Sequence, residues 1–148
     1  MSKDHDYLNA GMFFMVGVAG TSLAAHEKKF LQQTQPKGVI YFRRNIESPN
    51  QIISLNREIQ KCVDHPLIIG IDQEGGPVAR LQKPFTTFPA NEMLAKAYAE
   101  DGDLDRIEKK ARYMARELKA VGINCNFTPV ADIMTNPDNP VMTARTVG

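Results

Sequence analysis

The sequence predicts an α/β protein built on a parallel sheet. Short uninterrupted apolar runs at residues 11–18, 39–42 and 67–71 alternate with longer stretches whose apolar residues recur every three to four positions. Runs of the first kind read as strands buried on both faces, and the longer stretches read as helices. Polar residues gather after each apolar run, and the carboxyl ends of parallel strands are where α/β proteins bind ligands.

Each element follows from local chemistry. Residues 11–18 form the first strand, which Gly20, Thr21 and Ser22 break, with Thr21 or Ser22 as N-cap of a short helix. That helix carries Leu23, Phe30 and Leu31 inward and Glu27, Lys28 and Lys29 outward. After Pro36, Lys37 and Gly38 comes the second strand, 39–42, ending in Arg43, Arg44 and Asn45 as loop anchors. Ser48 caps the next helix, Pro49 takes its first position and Gln51 completes a capping box. Ile52, Leu55, Ile59 and Val63 are its core stripe. The third strand is 67–71.

A loop at 85–89 leads to an alanine-rich helix over 91–100, which ends at Asp101, Gly102 and Asp103. Leu104, Ile107, Ala111, Met114, Leu118 and Val121 make the longest amphipathic stripe. Arg106, Lys109, Lys110, Arg116 and Glu117 form its solvated face, and Gly122 ends the helix as a C′ glycine. Residues 123–127 are a fourth, more polar strand, where Asn124 and Asn126 alternate and satisfy polar groups. The order is βαβαβαβ, which requires a parallel sheet with helical crossovers.

Composition narrows the function. A chain of 148 residues suits one domain or a piece of a larger one, and 43% hydrophobic with 24% charged residues is a globular balance. The net charge of +1 gives no reason to expect nucleic acid or an anionic membrane as partner. Cys62 and Cys125 form no C-x-x-C pair and read as two buried free thiols in a reducing compartment. No metal and no cofactor is expected. Residues 11–19 are too few to cross a bilayer, and Lys3 is balanced by Asp4 and Asp6, unlike the basic start of an export signal. A cytoplasmic protein is expected.

The stretch that carries chemistry is residues 71–81, Ile-Asp-Gln-Glu-Gly-Gly-Pro-Val-Ala-Arg-Leu. A core strand has no structural need for Asp72 and Glu74 at its end. With the segment 38–45, with Arg80 and Leu81, with Phe85, Thr86 and Pro89, and with 122–130 followed by Asp132, this loop resembles the N-terminal part of glycoside hydrolase family 3. The resemblance is nearest to the bacterial β-N-acetylhexosaminidases of cell-wall recycling and runs from about residue 11 to residue 148. It implies a TIM-type (β/α)8 barrel, of which about 250 residues make a whole, so residues 1–148 supply a partial domain of about four β/α units.

The resemblance also assigns roles. Asp72, Arg80 and Arg145 match residues that hold the sugar, with Glu74, Gly75, Gly76 and Asp132 as loop support. Asp132 reads equally as a pocket residue or a structural one, and Glu74 as a buttress or, less readily, as an acid. A carboxylate can accept from two vicinal hydroxyls of a pyranose, and arginine donates charge-assisted bonds to others. The expected partner is a glycan containing N-acetylglucosamine. The family's histidine acid/base and aspartate nucleophile have no counterpart here, and His5, His26 and His65 do not match them. The catalytic set is therefore empty in this chain, which is expected to be inactive alone. Two departures stand out. Pro77 stands where the family has an arginine, which removes a cationic side chain and a backbone donor and restricts Gly76, and Val147 replaces an aromatic beside Arg145. The alternatives are a non-catalytic sugar-binding or assembly module, or an inactive remnant of a split gene. A half-barrel leaves strand edges open, so a C-terminal half-barrel chain or self-association is the expected protein partner.

Overall fold

The computed structural model describes residues 10–142 and 144–146. The N-terminal arm with His5, together with Val147 and Gly148, lies outside the described residues. The chain divides into two compact units, residues 1–71 with Lys119–Cys125, and Asp72–Leu118 with Asn126–Gly148.

The first unit carries the sheet. Its strands are β1 (Met15–Gly17), β2 (Gly38–Tyr41) and β3 (Ile68–Ile71), and its helices are α1 (Ala25–Thr34) and α2 (Pro49–Gln60). β1 pairs with β2, and β2 with β3, both in parallel, with Val39 opposite Val16 and Ile69. The sheet order ends on a short strand, β6 (Cys125–Asn126), beside β3. This is the expected α/β class. Val39, Tyr41, Ile52, Leu55, Ile59, Ile69 and Ile71 are buried. The α2 stripe is as the spacing requires, with Val63 also buried. Burying each such side chain stabilises the fold by about 1.5–3 kcal/mol.

Several boundaries differ from the sequence reading. The first strand is three residues long, because residues 11–14 turn instead: Phe13 N donates to Ala10 O at 3.1 Å and Phe14 N to Gly11 O at 3.0 Å. Phe13 is therefore 88% exposed. In α1, Leu31 is buried but Phe30 is exposed. Neither Thr21 nor Ser22 caps this helix. Glu27 accepts from Ala19 N at 2.8 Å and Ala24 N at 2.9 Å, and these backbone bonds outweigh burial and hold its carboxyl below the usual range. At α2, Ser48 Oγ accepts from Gln51 N as expected, but Gln51 Oε1 accepts from Glu47 N rather than closing the box on Ser48. Cys62 is buried and Cys125 only half-buried, and both are free. Asn45 is an anchor: Nδ2 donates to Val18 O at 2.9 Å and Gly20 O at 3.0 Å, and Oδ1 accepts from Phe42 N.

The fourth strand is two residues long, yet it is extended by side chains. Asn124 Oδ1 accepts from Ile69 N at 2.7 Å, and its Nδ2 donates to Leu67 O at 2.9 Å. The amide thus takes the place of a peptide group in the ladder.

The second unit contains the hairpin β4 (Gln73–Gly75) and β5 (Val78–Ala79), then α3 (Asn91–Asp101) and most of α4 (Asp105–Ala120). Gly102 (φ 68°) ends α3, and Asp103 Oδ1 accepts from Asp105 N to start α4. Met114 and Leu118 of the α4 stripe are buried, but Leu104 is 59% exposed and Ile107 37% exposed. The charged face is also not wholly solvated. Glu117 accepts from Thr86 N and, at 2.6 Å, from Thr86 Oγ1, so it fixes the 85–89 loop. Among the described residues, no helix is long and apolar enough to cross a membrane.

One buried polar link sits inside the first unit. Tyr41 Oη donates to Asn56 Oδ1 at 2.6 Å, and Asn56 Nδ2 donates to Val121 O at 2.7 Å. Gly122 lets this amide approach, since a Cβ there would lie 2.9 Å from Asn56 Nδ2. Burial pushes the Tyr41 phenol well above its ordinary value. A folded pKa raised above the unfolded one, about 10, gives stability that is complete below that pH and lost as pH rises further. Tyr41→Phe should cost about 1–2 kcal/mol near neutrality, by leaving Asn56 Oδ1 unsatisfied. It should also flatten the loss of stability above pH ~10. Urea midpoints measured at neutral and alkaline pH check both.

Candidate functional site

From Ile71 the chain enters the β4–β5 hairpin through Asp72. Gln73 pairs with Ala79 and Gly75 with Val78. Gly75 (φ 92°) and Gly76 (φ 58°) occupy the left-handed region, where a side chain is strained. A Cβ at Gly75 would lie 2.5 Å from Pro89 O, and one at Gly76 2.6 Å from Ala90 Cβ. Gly76 N donates to Phe88 O at 2.9 Å. The two glycines therefore let the hairpin tip lie against residues 88–90. Pro77 does not disturb this geometry. It is exposed in the turn between Gly75 and Val78, where its missing N–H breaks neither of those pairings.

Two ion pairs organise the loop. Arg80 Nη2 meets Asp72 Oδ2 at 3.0 Å, with 28% and 24% of the respective side chains accessible. Glu74 is 2% exposed, and Arg145 grips it through Nε to Oε2 at 3.1 Å and Nη2 to Oε1 at 2.8 Å. Those bonds hold the Arg145 guanidinium above even its usual pKa; burial opposes them, and the charges of Glu74, Asp72 and Asp132 add to them. Asp132 itself is exposed and acts on the site through that charge. The structure thus joins Asp72 to Arg80 and Glu74 to Arg145.

Arg145 is placed by its backbone. Thr146 forms a parallel bridge with Val130, and Arg145 O accepts from Asn91 Nδ2 at 3.0 Å. Ala144 adopts φ 68°, a conformation that costs a non-glycine residue about 1 kcal/mol. The side chain of Val147, expected to affect packing beside Arg145, lies outside the described residues.

Three supporting residues, Gln73, Asn91 and Lys110, have roles here that the sequence does not show, while Asn126 satisfies polar groups as its place on the strand implies. Gln73 is 1% exposed, and its Oε1 accepts from Arg80 N at 2.8 Å and Leu81 N at 3.0 Å. Asn126 brackets the Gln73 backbone, accepting from its N and donating to its O, both at 2.9 Å. Asn91, at the start of α3, accepts at 2.7 Å from Lys110 Nζ, which also donates to Pro89 O at 3.0 Å. Burial lowers the Lys110 pKa, and the attraction of Glu74 opposes this. The spacing of Lys110 on α4 matches its charged neighbours, so the sequence alone places it on the solvated face. The sequence signal for Gln73 was an amide set between two carboxylates. Among the described residues, no group of three His, Cys, Asp or Glu could hold a metal ion.

The chemistry this arrangement offers is polar recognition beside a rigid backbone. Asp72 and Arg80 remain accessible to a solute, while Glu74 is fully engaged. Arg145→Met would leave the Glu74 carboxylate buried without its bidentate partner, and should destabilise the protein by about 3 kcal/mol. Adding Glu74→Gln to that variant should recover a large part of the loss. Urea denaturation of the two single variants and the double variant measures the coupling.

The model of the glycosyl hydrolase family 3 N-terminal domain matches residues 10–148. A beta-hexosaminidase of Xylella fastidiosa (strain 9a5c) is 36% identical over 121 residues, which are 80% of this chain and 36% of that protein. The chain thus spans about a third of the length of the curated relatives it matches. Among solved structures, a family 3 β-N-acetylglucosaminidase from Paenibacillus sp. str. FPU-7 superposes with a TM-score of 0.88 at 38% identity, over 96% of this chain and 27% of that one. NagZ from Neisseria gonorrhoeae, solved in complex with N-trifluoroacetyl-D-glucosamine, gives 0.80 at 35% identity over 88% of this chain and 40% of its own. The fold class is α/β, with a parallel sheet and helices consistent with part of a TIM-type barrel. The chain belongs to the glycosyl hydrolase family 3 N-terminal domain family.

Proposed function

We propose that this chain is the sugar-holding portion of a cytoplasmic β-N-acetylhexosaminidase, which removes terminal N-acetylglucosamine from cell-wall-derived glycans with retention of configuration. The observation that supports this best is the accessible Asp72–Arg80 pair at the end of the β3 loop, in a chain whose relatives are beta-hexosaminidases. Asp72 accepts from sugar hydroxyls, and Arg80 and Arg145 donate to sugar oxygens. Holding the ring at these hydroxyls lets binding energy be used for distortion at the anomeric carbon.

In this reading the chain binds and orients but does not cleave. A retaining glycosidase needs a nucleophile and an acid/base group, in simple cases about 5–5.5 Å apart, the second free to give up a proton. Here Glu74 is buried in a bidentate pair with Arg145, and Asp72 is paired with Arg80. Neither is placed to protonate a leaving group, so the nucleophile and the acid/base come from elsewhere in the whole enzyme.

A second reading, an assembly module, has one observation in its favour. A cavity of about 590 Å³ lined by Leu94, Tyr98, Leu104, Ile107 and Met114 is largely apolar. Association with a C-terminal half-barrel chain or with itself would cover it. A monodisperse monomer in sedimentation would count against self-association.

Calorimetric titration with N-acetylglucosamine tests the first reading. The native chain should bind, Asp72→Ala should bind at least about tenfold more weakly, and neither should turn over a chromogenic N-acetylglucosaminide. Equal binding by the two proteins would remove Asp72 from the site, and appreciable turnover by the chain alone would overturn the division of labour.

A further inference from the structure

Asp72 and Glu74 flank Gln73, whose side chain is almost wholly buried although it is polar. Burying a primary amide costs free energy unless its groups are satisfied. Gln73 meets this condition in an unusual direction. Its Oε1 uses both lone pairs on consecutive backbone donors, Arg80 N at 2.8 Å and Leu81 N at 3.0 Å. Its Nε2 approaches Leu81 O at 3.4 Å. The amide of Gln73 therefore holds the backbone of the residue whose guanidinium pairs with Asp72, the side chain immediately before it in sequence.

The Gln73 peptide groups are held as well. Asn126 accepts from Gln73 N, which belongs to the peptide shared with Asp72, and donates to Gln73 O, which belongs to the peptide shared with Glu74. Asn126 is itself steadied by Met114 Sδ, 3.3 Å from Nδ2. Both peptide planes next to the two carboxylates are thus fixed by one asparagine. Both ends of the Asp72–Arg80 pair depend on Gln73, one through its backbone and the other through its side chain.

We infer that Gln73 and Asn126 are positioning residues, which together set the Asp72–Arg80 pair in the geometry that receives the sugar. The inference rests on the sugar-holding reading above. Neither residue needs to touch the ligand. Their effect is to remove two freedoms, rotation of the Asp72–Gln73 peptide and displacement of the Arg80 backbone, that ligand binding would otherwise have to arrest. The hairpin ladder pairs Gln73 with Ala79 and Gly75 with Val78; what the Gln73 side chain adds is an acceptor for Arg80 N and Leu81 N. An apolar side chain of equal length would fill the space and leave those two donors without it.

The test compares the full chain with Gln73→Met and Asn126→Ala. Met fills the volume but accepts nothing. Asn126→Ala leaves the Gln73 side chain untouched and supplies an independent arm should Gln73→Met lose its fold. Two readouts are taken. The first, without sugar, is the NMR signal of the Arg80 guanidinium, which is resolved and slowly exchanging when paired with Asp72. The second is the affinity for N-acetylglucosamine.

The native chain should show a resolved Arg80 signal. Gln73→Met and Asn126→Ala should show an averaged Arg80 signal and about tenfold weaker binding, with far-ultraviolet circular dichroism unchanged. Folded Gln73→Met and Asn126→Ala with native Arg80 signals and native affinity would overturn the inference. A native chain with a resolved Arg80 signal that the variants lose, but with no sugar binding in any protein, would overturn the sugar-holding reading and leave the positioning of Arg80 established.

Discussion

A carboxylate taken almost completely out of water must find a partner that restores what hydration gave it. Glu74 finds it in Arg145, which lies 71 positions further along the chain and offers two parallel N–H donors. Much of the second unit serves this meeting. The left-handed backbone at Gly75 and Gly76 brings the hairpin tip against residues 88–90, and the next residue, Asn91, holds the Arg145 carbonyl. Lys110 ties Pro89 and Asn91 together. Burial opposes charge at Lys110, and the field of Glu74 favours it.

The loop separates contact from support. Asp72 and Arg80 keep accessible surface, while Gln73 and Glu74 keep almost none. Exposure does not alternate along these positions, since Gln73 and Glu74 are consecutive and both buried. Gln73 turns its amide onto the backbone of Arg80 and Leu81, and Glu74 is covered by Arg145. Neutral hydrogen bonds hold the amide, a charged pair holds the buried carboxylate, and Asp72 is left partly accessible.

Much of the fold was legible in the sequence. Apolar β-branched runs and a helix stripe such as Ile52, Leu55 and Ile59 leave few architectures open, and the parallel sheet follows from their alternation. The ends of elements were less legible. Phe13 and Phe30 are apolar by type but exposed, because a turn at residues 11–14 and the facing of α1 decide burial, not hydrophobicity alone. Leu104 and Ile107 continue the α4 stripe, yet they line an open cavity rather than a closed core. At the site, the loop and its charged residues could be recognised, but their partners could not. The grip of Arg145 on Glu74, and the inward use of Lys110 and Glu117, depend on contacts between residues distant in sequence. Local spacing carries no record of such contacts.

The side-chain ladder at the end of the sheet has a chemical consequence. Asn124 and Asn126 each present an oxygen to a peptide N–H and a nitrogen to a carbonyl, at Ile69 with Leu67 and at Gln73 respectively. Amide nitrogens are lost slowly in water by hydrolysis, and the product is an aspartate. At either position that change would set a carboxylate oxygen against a carbonyl oxygen, where a donor had been. The bonding of this region therefore depends on two side-chain amides staying chemically intact as well as on the folding equilibrium.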